Sequence, residues 1–227
     1  MKFLSVGLAL SAILLHGPHL SAQHLNAGAT AQTQGSSLIW ANGAAFAAES
    51  GYVQNMTLAT SGRYTGLFNA SGPTLTALSS TNNVGAAAGA FLTAEIVSVA
   101  GPSGSLFSFW EGVDHGGGSL ATFSILAGST GISQQFALSD VLEGAGQPGG
   151  DPFGHLHGRR FTVNAEGLYT VGFRVLDISA NGPGGSPIHL PSQVLYMNFA
   201  TVPEPSVLTL AGVGLAGFWF WRRRGKV

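Results

Sequence analysis

The sequence predicts an all-β protein, an antiparallel β-sandwich body set between two apolar ends. Three observations carry this. Charged residues make up 8% of the 227 positions while glycine fills 34, a profile of turns and short apolar runs. Such a chain is too apolar for disorder, which needs low hydrophobicity and high net charge. Stretches with period-two alternation recur along the body, separated by turn-forming clusters. Outside the two ends, no run shows convincing helical periodicity.

The clearest strand is 168–178, where Tyr169, Val171, Phe173 and Val175 share one face. Residues 193–200 place Leu195, Met197 and Phe199 together in the same way. Shorter candidates are 91–99, 105–110, 120–126 and 160–163. Residues 52–58 and 63–68 form an earlier pair, split by Ala59-Thr60-Ser61-Gly62. Between them stand Gly101-Pro102-Ser103-Gly104, Gly116-Gly117-Gly118, the 146–150 stretch around Pro148, and Gly182-Pro183-Gly184-Gly185. The alanines at 44–48 and 86–88 suit single turns. Short strands at this spacing favour an Ig-like or jelly-roll-like sandwich, with a barrel as the alternative.

The ends read differently. Lys2, an apolar run over 3–15 and a small residue at Ala22 describe a signal peptide, so 1–22 is expected to be removed. Body residues 23–201 follow, then a tail over 202–227. The run 207–221 is apolar apart from Thr209, and Arg222-Arg223-Arg224 close it. As a helix it would cover roughly 22 Å, slightly short of a bilayer core of about 30 Å. It is expected to be a transmembrane helix with its arginines on the cytoplasmic side and the body outside. Gly212-Val213-Gly214-Leu215-Ala216-Gly217 within it matches G-x-G-x-x-G. A dinucleotide fingerprint must follow a strand in a βαβ unit, so helix packing through small residues explains it better.

The body itself is acidic. Residues 23–201 hold nine carboxylates against Arg63, Arg159, Arg160 and Arg174, a formal charge of −5. No basic footprint exists for a nucleic-acid partner. The absence of cysteine excludes disulfides, thiolate ligands and a cysteine nucleophile.

Gly154-His155-Leu156-His157-Gly158 is the sharpest local feature. On an extended strand, His155 and His157 point the same way, and neutral imidazole suits zinc and copper. His24 and His115 are the other candidate ligands, and His189 lies in a proline-rich loop. Two readings stand side by side: a metal site, or histidines that are exposed or satisfied by hydrogen bonds.

Enzyme signatures are missing. Gly101-Pro102-Ser103-Gly104-Ser105 lacks the last glycine of a nucleophile elbow, and H-E-x-x-H is absent. Glu95, Glu111, Asp114 and Asp140 are too scattered to select an acid–base pair for glycoside hydrolysis. The sequons at Asn55 and Asn69 are explained by turn chemistry.

Two resemblances add to this. Pro203-Glu204-Pro205, the apolar run and the arginine cluster together resemble the PEP-CTERM sorting signal of Gram-negative bacteria that make extracellular polysaccharide. That implies an exosortase as processing partner. It also implies inner-membrane anchoring before processing, and the cell surface or extracellular matrix afterwards. The stretch from Gly154-His155-Leu156-His157, through Gly167-Leu168-Tyr169-Thr170-Val171, to Phe173-Arg174-Val175 resembles a domain of bacterial surface-anchored proteins, choice-of-anchor M. A related PEP-CTERM group in that family is associated with zinc-responsive regulation, which implies zinc as the cofactor. Members carry a histidine near the mature start, matched by His24. Their usual His-Val-Asp is His24-Leu25-Asn26 here, so an aspartate's role does not carry over.

The expectation is therefore an exported, surface-sorted, non-catalytic protein that holds zinc through its histidines. The alternatives are a metal-free matrix protein associated with exopolysaccharide, and a carbohydrate-active enzyme.

Overall fold

The alternating stretch around Val171 becomes a ten-residue strand, Leu168–Asp177, with Tyr169, Val171, Phe173 and Val175 all at 0–1% exposure. The computed structural model describes residues 24–140 and 144–202, so the expected signal peptide and transmembrane helix lie outside the described residues. Within them, no helix is long and apolar enough to cross a membrane. The described residues are all-β. The strands are β1 His24–Ala29, β2 Leu38–Trp40, β3 Val53–Leu58, β4 Phe68–Ala70, β5 Thr74–Ala77, β6 Leu92–Ala100 and β7 Leu106–Trp110. They continue with β8 Phe123–Leu126, β9 Ser129–Ala137, β10 Gly154–His155, β11 Arg160–Val163, β12 Leu168–Asp177 and β13 Leu195–Val202.

They form a nine-stranded sheet in the order β8-β7-β11-β4-β3-β13-β12-β6-β9 and a four-stranded sheet in the order β10-β5-β1-β2. Most pairs are antiparallel, but β1 with β5 and β13 with β3 are parallel. Parallel neighbours need long connections. Both pairs have them, since other strands intervene in the chain.

Of the two architectures expected, the larger sheet follows the barrel alternative and curls nearly closed. β8 and β9 are its opposite edges, yet only Ala127 and Gly128 separate them. Nine open strands would hold the edges about 38 Å apart. Two linking residues reach about 10 Å. The sheet must therefore wrap round until its edges meet. Gly128 makes the corner at φ 93° and donates its N–H to Val99 O at 2.8 Å. Side chains carry the seam: Phe109 of β7 stacks on Phe136 of β9 with centroids 4.2 Å apart.

Two strand readings change. The 63–68 stretch starts as the 3₁₀ turn Gly62–Tyr64, and strand β4 begins only at Phe68. Arg63 leaves strand geometry because its guanidinium lies over the Tyr64 and Trp110 rings and donates to Glu111 O at 2.7 Å. The 120–126 stretch shortens to β8, and Leu120 is 79% exposed.

His189 closes the far side of the small sheet. It is 3% exposed, and Ala87 N–H donates to its Nε2 at 2.9 Å while Nδ1 meets Ser36 Oγ at 2.9 Å. Accepting from Ala87 requires a neutral ring. Burial pushes this imidazole below its ordinary value, against the opposing pull of Ser36 and the nearby Asp177 charge. Unfolded histidine takes its proton near pH 6.5. The stability is thus complete above about pH 6.5 and is lost as pH falls toward the lower folded value. Thermal melts at pH 7.5 and pH 5 are expected to show a smaller pH-dependent loss for His189→Gln than for the parent. Equal losses would remove His189 as the source.

Candidate functional site

Strand β10 is only two residues long and still places His155 firmly. Gly154 pairs with Ala77 and His155 with Thr76 on β5, while β1 lies parallel on β5's other side. Leu25, Ala27, Leu75 and Ala77 turn to the core, so His24, Asn26, Thr74, Thr76 and His155 share the outward face. Just upstream, Asp151 clamps the chain. Its carboxylate accepts from Ser79 Oγ at 2.7 Å, Ser80 N at 2.9 Å and Phe153 N at 3.1 Å. Burial alone would raise its pKa, but these bonds bring it below the ordinary carboxylate value.

On this face three of the four candidate histidines meet. The His24 and His155 ring centroids are 5.4 Å apart, and those of His155 and His157 are 4.4 Å apart. His24 is the best held. Its Nδ1 hydrogen-bonds Thr76 Oγ1 at 2.8 Å, and its carbonyl accepts from Asn42 Nδ2 at 2.7 Å. Asn42 Oδ1 also accepts from Asn26 N at 2.8 Å, stapling the start of β1. With Nδ1–H as donor, Nε2 of His24 carries a free lone pair, the second-sphere arrangement that metal-bound histidines use. Burial first, then the neighbouring His157 and His24, push the His155 pKa down. That shift favours the neutral form, the one that ligates metals.

The donor chemistry suits zinc, while the posture does not yet converge. The rings meet edge to face, at 86° and 76°, and no group of three or more His, Asp or Glu among the described residues is arranged to hold a metal. His157 is exposed on the loop that follows β10.

His115 lies apart. It ends the 3₁₀ turn Val113–His115, in the glycine-rich loop with Glu111 and Leu120, and has no ring contact with the other three. That loop is fastened beside the site. Arg159 Nε and Nη2 donate to Glu111 Oε1 at 2.6 Å and Oε2 at 2.8 Å, and a Cβ on Gly112 would stand 2.3 Å from the His157 carbonyl oxygen. Thr76, Asn42, Asp151 and the Arg159–Glu111 pair are the supporting residues that sequence reasoning passed over. The alternation Thr74-Leu75-Thr76-Ala77 after Pro73 was the one signal for the strand beneath them.

The other functional feature starts where the sheet stops. β13 runs to Val202, with Thr201 opposite Met56 and Val202 opposite Thr57 on β3. Pro203-Glu204-Pro205 follow at once. Residues 201–224 match the PEP-CTERM protein-sorting motif. The PEP-CTERM signal implies export, membrane anchoring through the C-terminal segment before cleavage, and recognition by an exosortase. Thr201 belongs to both signal and sheet, since its N–H donates to Gly167 O at 3.1 Å and its Oγ1 accepts from Gly167 N at 2.9 Å. No curated protein and no solved structure matches the chain. Pro203, Glu204, Pro205 and Arg222-Arg223-Arg224 lie outside the described residues.

Proposed function

We propose that this PEP-CTERM protein is a non-catalytic surface protein that binds zinc through His24, His155 and His157 once delivered outside the cell. The observation that carries the reading is the contact of three imidazoles on one outward sheet face, one of them pre-oriented by Thr76. Three neutral nitrogens leave a fourth position for water or an external group. His115 is left out because its ring makes no contact with the other three imidazoles. The choice-of-anchor M resemblance, with its G-H-x-H segment and early histidine, agrees with this set of residues.

Zinc titration of the purified full-length chain is the test. One equivalent is expected to bind, with at least a tenfold weaker Kd for the His155→Ala/His157→Ala double variant and no change for His115→Ala. At zinc a hundredfold above Kd, binding adds about 2.7 kcal/mol to stability, so chelation should lower Tm by several degrees. A double variant that binds zinc like the parent would sink the assignment.

A matrix role through contact with exopolysaccharide is the second reading. The open groove on the nine-stranded sheet, lined by Tyr196, Arg174 and Thr170, favours it.

A further inference from the structure

The outer face of β9, β6, β12 and β13 carries an open groove of about 760 Å³. Beneath its Ser98, Val194 and Tyr196 wall lies the buried Gly172. This glycine sits inside the longest described strand, where glycine normally weakens the ladder and often marks close approach by another group. A Cβ there would fall 2.6 Å from Ser98 Oγ and 3.1 Å from Tyr196 Cε1. The missing side chain thus lets the Tyr196 ring come down beside the strand while remaining 48% exposed. The result is an aromatic surface open to solvent, on rigid sheet rather than on a loop.

One end of the groove holds an ion pair. Glu95 is 2% exposed, although it faces outward from the barrel. Its Oε2 accepts from Arg174 Nε at 2.8 Å, and its Oε1 accepts from Ser133 Oγ at 2.5 Å. Arg174 stays partly exposed and uses Nε and Nη2 on Glu95, leaving its other N–H groups to donate outward. Thr170, Ser98 and Thr130 add hydroxyls along the walls.

We propose that this groove binds a neutral polysaccharide chain. Each feature fits that chemistry. An exposed tyrosine offers an apolar face for the C–H side of a pyranose ring. A guanidinium fork and hydroxyls suit vicinal ring hydroxyls. The charges at the base cancel, so the groove selects neither cation nor anion, and the acidic body repels polyanions. Glu95 is committed to Arg174 and Ser133, which suits binding rather than acid–base catalysis. The proposal rests on surface display and is independent of the histidine site.

The test is calorimetric titration of the full-length protein with linear gluco-, galacto- and manno-configured hexasaccharides, and with a galacturonate hexasaccharide as the acidic probe. Binding of at least one neutral chain at millimolar concentration is expected. Tyr196→Ala should weaken it roughly tenfold or more, about 1.4 kcal/mol. Tyr196→Phe should retain it, and both variants should melt like the parent because the ring is half exposed. The histidine double variant should bind sugar normally, which separates failure of this site from failure of the zinc site. Absence of binding to every neutral chain, unchanged affinity in Tyr196→Ala, or preference for the galacturonate chain would overturn the proposal.

Discussion

Phe161→Ala is expected to destabilise the protein by about 3–5 kcal/mol, the largest loss from any single side-chain truncation in the barrel. The ring is 4% exposed and is the hub of the aromatic core. It contacts Phe107 at 5.5 Å, Phe109 at 5.8 Å, Phe136 at 6.2 Å, Phe173 at 5.8 Å and Phe199 at 5.6 Å between centroids. These neighbours lie on β7, β9, β12 and β13, so one side chain ties β11 to strands right around the curled sheet. Truncation removes apolar contact and opens a cavity that rigid strands cannot collapse. Urea unfolding followed by tryptophan fluorescence should report the loss, alongside a fall in Tm of roughly 10 °C or more. Phe123→Ala is the comparison, because that ring is only partly buried on edge strand β8 and should cost clearly less. Equal losses at the two positions would mean that the seam, not the hub, limits stability.

The strands that build this core were legible because alternation is local. Tyr169 to Val175 and Met197 to Phe199 could be assigned to one face from spacing alone, and they are buried. Closure was not legible. It depends on which strands are neighbours, and the short Ala127-Gly128 link has its meaning only because β8 and β9 are opposite edges. Strand β9 was missed because Phe136 is the one buried residue along it, and β1, β2 and β5 were missed for a related reason. They are short, and their outward positions carry His, Asn and Thr instead of a strongly contrasting polar pattern.

The candidate site divides in the same way. The short G-H-x-H motif put His155 and His157 forward together, although only His155 lies on a strand and His157 follows it on the loop. The arrival of His24 depends on β1 lying parallel to β5, a pairing of residues 52 positions apart, as in the bond from His24 to Thr76. No local pattern encodes it. The sorting tail was the most readable part because its signal is linear and is recognised as a linear segment.

Asp177→Ala is expected to be nearly as damaging as loss of the Phe161 ring, through a different mechanism. Asp177 ends β12 at 6% exposure and its carboxylate accepts four backbone N–H groups. Oδ1 takes Phe91 N at 3.0 Å and Ser179 N at 2.9 Å, while Oδ2 takes Ile188 N at 2.9 Å and His189 N at 3.1 Å. One side chain thus fastens the entry to β6, the turn after β12 and the segment that carries buried His189. Alanine strands all four donors. Each orphaned buried group costs about 1–3 kcal/mol, reduced where water can enter, so a total of about 3–5 kcal/mol is expected. Asp177→Asn separates charge from shape. Its amide oxygen still accepts one pair of N–H groups, but its NH₂ confronts the other pair donor to donor. The asparagine variant should therefore lie between parent and alanine. Asparagine at parental stability would show that acceptor number and charge are irrelevant here. Because His189 hangs on this carboxylate and in turn accepts from Ala87, Asp177→Ala and His189→Ala should be non-additive. A double variant losing less than the sum of the singles, measured by chemical denaturation, is the expected sign that they hold one structural unit.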